Sequence, residues 1–133
     1  MIVVDTNIIS YLFLTGEFSD QAERTLLKDS QWSAPLLWRS EFRSVLAQYI
    51  RRNILTLDQA IEIMEIAVSL IEANEYDVDS TQVLVLVNNS NLSAYDCEYV
   101  ALAKALGVKL ITADKKVLEQ FSDYAISIQE FAS

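Results

Sequence analysis

Four carboxylates stand where the surrounding pattern expects another residue type. Asp5 ends the β-branched run Ile2-Val3-Val4, and Asp114 follows the apolar run Val108–Thr112. Asp96 falls in the first turn of a helix opened by Ser93, on the row that continues through Val100 and Ala103. Glu41 shares the i, i+4, i+8 row of Leu37 and Val45, beside an apolar stripe rather than opposite it. If these acids converge, each raises the pKa of its neighbours unless a cation joins them. Oxygen ligands without histidine or cysteine favour Mg²⁺ or Mn²⁺. Such a site suits hydrolysis of a phosphodiester, in which the metal activates water and neutralises charge on the phosphate. Each acid also has a local explanation: Asp5 and Asp114 as helix N-caps, Asp96 as the N3 acid of a capping box with Ser93, Glu41 as a solvated edge residue. Thr6, Asn7 and Thr112 are either local caps and turn formers or residues that orient the carboxylates and water from behind.

Composition removes the competing chemistries. The chain contains no histidine, which excludes histidine acid–base catalysis, a Ser-His-Asp arrangement and histidine-ligated zinc. Its two glycines, Gly16 and Gly107, are too few for a phosphate-cradling P-loop or a dinucleotide fingerprint. The single cysteine, Cys97, excludes an internal disulfide framework and reads as a small buried apolar residue. At 133 residues and 52% apolar, the chain suffices for one domain, residues 1–133, with a sizeable core. No apolar run is long enough to cross a bilayer, the purest being Val83–Val87. The opening Met1-Ile2-Val3-Val4-Asp5 has no basic region ahead of its apolar residues, so a cytoplasmic protein without a secretory signal is expected.

Ten bases against 19 acids leave a net charge of −9, which disfavours a general nucleic-acid binder. The bases nevertheless fall in two blocks. Residues 39–52 carry Arg39, Arg43, Arg51 and Arg52 around Glu41, and residues 100–118 carry Lys104, Lys109, Lys115 and Lys116 around Asp114. Residues 53–99 hold nine acids and no base. The basic blocks are either solvated helix faces or a cationic rim for an anionic substrate on an otherwise acidic protein. On a helix, Glu41 faces away from both Arg39 and Arg43, which are two positions off.

The elements that must position the acids follow from periodicity. Ile2-Val3-Val4 reads as a buried parallel strand. A helix is predicted from Asn7 to Leu14 with Gly16 as its stop, and another from the cap Ser19-Asp20 to about Lys28. Trp32 to Ala34 forms a second strand, and Pro35 suits the first turn of a long helix to about Arg52. On that helix Phe42, Val45, Leu46, Tyr49 and Ile50 form the buried stripe. Thr56-Leu57-Asp58-Gln59 matches a capping box opening a helix to about Ala73, whose wide apolar face predicts burial on two sides. Residues 80–91 read equally as strand or helix. A helix from Ser93 ends at Gly107, Val108–Thr112 is a strand, Asp114 opens a short helix to about Phe121, and Ala125–Ile128 is a last strand. Short apolar strands alternating with helices indicate an α/β domain with a mainly parallel sheet.

Taken together, Val3-Val4-Asp5-Thr6-Asn7, Ser40-Glu41, Ser93-Ala94-Tyr95-Asp96 and Leu110-Ile111-Thr112-Ala113-Asp114 resemble, in order and spacing, the motifs of PIN-domain ribonucleases. The likeness is greatest to the stand-alone VapC-type toxins of toxin–antitoxin pairs, and it runs from Met1 to the last strand. It implies a PIN-like central sheet flanked by helices, with a Mg²⁺- or Mn²⁺-dependent endoribonuclease site. Asp5, Glu41, Asp96 and Asp114 match the four family acids. By that likeness Asp5, Asp96 and Asp114 hold metal directly or through water, and Glu41 completes the site or positions water. Thr112 matches a hydroxyl two residues before the last acid. Some members carry a further acid one turn after the third, where this chain has Tyr99, so the acid set for a second metal is incomplete. Arg39, Arg43, Lys115 and Lys116 are the candidates for RNA contact. The likeness also implies a small antitoxin with a DNA-binding part, for which Tyr11, Leu12, Phe13, Leu14 and Trp38 form the candidate surface, and a homodimer built through other helices.

Two other readings share some of these features. Haloacid-dehalogenase-like phosphatases also place Asp after a first strand, but they resemble Asp-x-Asp, and here the second position is Asn7. A PIN-like module that only binds RNA or protein has no reason to keep all four acids.

Overall fold

The computed structural model describes residues 1–133. Five parallel strands form the sheet: β1 (Ile2–Val4), β2 (Trp32–Pro35), β3 (Glu75–Tyr76), β4 (Leu110–Thr112) and β5 (Ala125–Ser127), in the spatial order β3-β2-β1-β4-β5. Eight helices flank it: α1 (Thr6–Phe13), α2 (Ser19–Lys28), α3 (Leu37–Arg51), α4 (Leu57–Ile71), α5 (Ser80–Asn88), α6 (Ala94–Leu106), α7 (Lys115–Gln120) and α8 (Ile128–Ala132). β1 is central and buried on both faces, which is why it is uniformly β-branched rather than alternating. Val3 lies opposite Ser33 on β2 and Leu110 on β4. Trp32, Trp38 and Phe42 are fully buried and anchor the core together with Ile8, Ile9, Ile111 and Val100.

The strand order reverses at β1. The chain lays down β2 and β3 on one side of it, then returns to add β4 and β5 on the other. In an open parallel sheet the crevice at such a switch point, beyond the carboxyl ends of the strands, is where ligands bind. Asp5 and Asp114 follow the two strands that border it.

Several boundaries differ from the predicted ones. Pro35 ends β2 instead of starting α3: it pairs with Tyr76 of β3, and the Leu36 amide donates to the Tyr76 carbonyl at 3.1 Å. The missing proline N–H costs little where the ladder ends. The ambiguous residues 80–91 resolve as helix, because the Asp79 side chain caps α5 by accepting from the Gln82 amide at 3.2 Å. α4 has its capping box, with reciprocal bonds between Thr56 and Gln59. It is buried on one side only, through Ala60, Ala67 and Ile71, while Leu57, Ile61 and Ile66 stay exposed. Strand β3 and helix α8 had no distinct signal, being two and five residues long.

Candidate active site

Asp5 and Asp114 are helix N-caps, as local pattern suggested, and they also line the candidate cleft. The Asp5 Oδ1 atom accepts from the Ile8 amide at 3.2 Å, and Asp114 Oδ1 accepts from the amides of Lys116 and Val117 at 2.8 and 3.2 Å. Thr112 joins the two. Its hydroxyl donates to Asp5 Oδ2 at 2.5 Å and accepts from the Asp114 amide at 3.0 Å. Asp96 sits in the first turn of α6, where Ser93 caps by accepting from the Asp96 amide at 3.1 Å. Glu41 projects from the second turn of α3, beside the buried stripe of Phe42 and Leu46.

All four acids line one polar cleft of about 260 Å³ at the switch point, together with Thr6 and Asn7. Burial pushes Asp5 up to about 6, with the charges of Asp114 and Asp96 adding to the rise and the bonds from Thr112 and Ile8 opposing it. Burial also raises Asp96, helped by Asp114 and Glu41 and opposed by Ser93 and Lys116. These acids therefore share one electrostatic field although they come from four different elements. No three of them stand close enough to form a ready-made metal cage. An all-oxygen donor set of this openness still fits Mg²⁺, which keeps several waters and takes only one or two carboxylates plus substrate phosphate.

Two cleft residues escaped the sequence reading, and a third, Tyr99, stood there only as the place of a missing acid. Ser44 and Gln48 line the cleft from α3, one and two turns beyond Glu41, and the helical row through Glu41 is the signal that would have found them. Tyr99, one turn after Asp96, is buried with its hydroxyl in the site, donating to Glu41 Oε1 at 2.6 Å. Burial and the Glu41 carboxylate push its phenol far above the usual range, so it remains a donor.

Other assignments need correction. Arg39 is not available to a substrate in the way proposed: its guanidinium holds Glu75 in a two-pronged bond of 2.7 and 2.6 Å, and the Trp38 indole donates to the same carboxylate at 2.7 Å. Arg43, Lys115 and Lys116 are exposed, but no lysine or arginine lines the cleft itself. Trp38 and Leu14 are core residues and cannot present a partner surface. Leu12 and Phe13 do line an open apolar groove of about 480 Å³, with Leu26, Ile66 and Leu70, whereas Tyr11 stacks on Phe18 at 4.8 Å.

Comparison with known proteins agrees with the architecture. The PIN domain family model matches residues 2–125. Ribonuclease VapC3 of Pyrobaculum aerophilum is 30% identical over 123 residues, covering 90% of this chain and 94% of that protein. The crystal structure of PAE2754 from the same organism superposes with a TM-score of 0.78 at 17% identity, covering 98% of this chain and 92% of that one. A toxin–antitoxin complex from Klebsiella pneumoniae gives 0.72 at 19% identity, covering 96% and 98%. At those identities the two structures establish a common fold. With the family match, the strand order and the four acids now in one frame, the phosphatase alternative falls away, and the chain belongs to the PIN-domain family, among its VapC-type members.

Proposed function

We propose that this protein is an endoribonuclease that hydrolyses RNA phosphodiester bonds with a bound Mg²⁺ or Mn²⁺, and that it is the toxin of a toxin–antitoxin pair acting in the cytoplasm. The observation that carries the reading is the convergence of Asp5, Glu41, Asp96 and Asp114 on one polar cleft at the switch point of a PIN fold. A relative named a ribonuclease and a structural neighbour solved as a toxin–antitoxin complex support it.

When bound, a divalent ion polarises the phosphate and makes a coordinated water more acidic. Asp5, Asp96 and Asp114 would hold it, directly or through water. Thr112 fixes one oxygen of Asp5, Oδ2, and the backbone amide of Asp114 from behind. Glu41 would orient the attacking water or complete the ligand set, with Thr6 bonded to it and Asn7 at the cleft mouth. Arg43, Lys115 and Lys116 would meet the RNA backbone outside the cleft. The apolar groove around Leu12, Phe13 and Ile66 would take the antitoxin.

The test is to incubate purified, partner-free protein with structured RNAs and Mn²⁺ or Mg²⁺ beside an Asp5→Asn variant. Cleavage that EDTA stops and the variant abolishes is expected. Equal inactivity of both proteins on a wide RNA panel, with a copurifying partner still bound by each, would favour a binding module instead. Light scattering on the same samples is expected to report a homodimer.

A further inference from the structure

Glu41 differs from the other site acids in how it is held. Its Oε1 atom accepts from the Thr6 hydroxyl at 2.9 Å and from the Tyr99 hydroxyl at 2.6 Å, and the two hydroxyls lie 2.7 Å apart. Thr6 and Tyr99 are both buried. A buried phenol usually finds some partner, and a backbone carbonyl would satisfy it. Here the partner is a site acid, and a second hydroxyl from another element meets the same oxygen. The three residues come from α1, α3 and α6. Thr6 directly follows Asp5 and Tyr99 lies one turn beyond Asp96, so the triangle cross-links the elements that carry three of the four acids.

We infer that Tyr99, with Thr6, is a positioning residue for the proposed metal site: the two hydroxyls occupy one oxygen of Glu41 and leave Oε2 for the cleft. This deepens the nuclease reading and rests on it. A carboxylate on a flexible two-methylene stem loses rotamer freedom when it engages a metal or its water. Fixing it beforehand removes that cost from the binding step, as partners behind metal ligands generally do. Tyr99 supplies no ligand itself, because its hydroxyl is committed to Glu41.

The experiment titrates Mn²⁺ alone, followed by electron paramagnetic resonance, into wild type, Tyr99→Phe, Glu41→Gln and the double variant. Thr6→Val and Thr6→Ser run alongside, and melting curves confirm that each is folded. Tyr99→Phe is expected to weaken Mn²⁺ binding about tenfold, Glu41→Gln to do at least as much, and the double variant to lose no more than Glu41→Gln alone. Thr6→Ser, which keeps the hydroxyl, should bind as wild type does, and Thr6→Val should resemble Tyr99→Phe. On RNA, Tyr99→Phe should lower kcat at saturating Mn²⁺ and leave KM within about twofold, since the contact made is to a site acid and not to the polymer. Wild-type Mn²⁺ affinity in Tyr99→Phe, or losses that multiply in the double variant, would overturn the inference. Should Tyr99→Phe not fold, the Thr6→Val and Thr6→Ser pair decides the same question. Absence of RNA cleavage by wild type and every variant alike would sink the nuclease reading and leave the Mn²⁺ comparison standing.

Discussion

Asp5 is asked to cap a helix, to sit in a buried cleft and to carry a charge, and the last two demands conflict. An acid whose folded-state pKa is about 6 rather than 3.8 binds its proton more tightly in the folded state than in the unfolded one. Stability therefore falls as pH rises from about 4 to about 6 and stays reduced above that, by at most about 3 kcal/mol from this group. Asparagine removes the charge and still caps. Without metal, Asp5→Asn is expected to melt above wild type at pH 7.5, with the advantage shrinking as the pH is lowered from 6 to 4. Adding millimolar Mn²⁺ should reverse the order, because only wild type gains from binding the ion. Thermal melts across pH, with and without Mn²⁺, read both effects. The same residue explains why the site was partly legible in the sequence: an acid at the end of an apolar strand is conspicuous. Thr6 was readable as a support for the acids, but its partner Glu41 and the part played by Tyr99 were hidden, since a hydroxyl in a helix gives no sign of which distant carboxylate it will meet.

At the scale of elements, the clasp of Glu75 by Arg39 and Trp38 ties α3 to β3 and so sets where Glu41 stands. Removing the carboxylate by Glu75→Ala strands an indole N–H and a guanidinium, and is expected to cost about 1–3 kcal/mol in urea unfolding. Arg39→Ala should cost less, because its side chain is 37% exposed and the Trp38 bond survives. Gly107 closes α6 with φ at +67°, the left-handed conformation that other residues resist. Gly107→Ala should lose about 1 kcal/mol in the same assay even though the site has room for the methyl group. Caps, glycine stops and β-branched runs were readable because each acts within a few residues. Arg39 was misread as a substrate contact for the opposite reason: Glu75 is 36 residues away, and pairing at that range depends on strand order. The five-residue stretch Val83–Val87 likewise reads as strand by propensity, but the Asp79 cap and packing of α5 on α6 override it.

The whole molecule is acidic, and its cations are spent unevenly. With Arg39 engaged by Glu75, the candidates near the cleft reduce to Arg43, Lys115 and Lys116. Three phosphate contacts on a single strand give a slope of about −2 for log affinity against log salt. Filter binding of an uncleaved RNA to Asp5→Asn, from about 50 to about 200 mM salt, should return about that value. Lys116→Ala is expected to flatten the slope, whereas Arg39→Ala should leave it unchanged.

The cleft also has a history within each molecule's synthesis. Asp5 is made well before the hydroxyl that holds it, which belongs to Thr112, 107 positions later. The strand bearing Thr112 must dock beside β1 before Asp5 and Asp114 face one another. A growing chain therefore displays Asp5 first and has no complete cleft until β4 and Asp114 have emerged from the ribosome. The proposed nuclease is therefore expected to be silent in a nascent chain until β4 has docked beside β1.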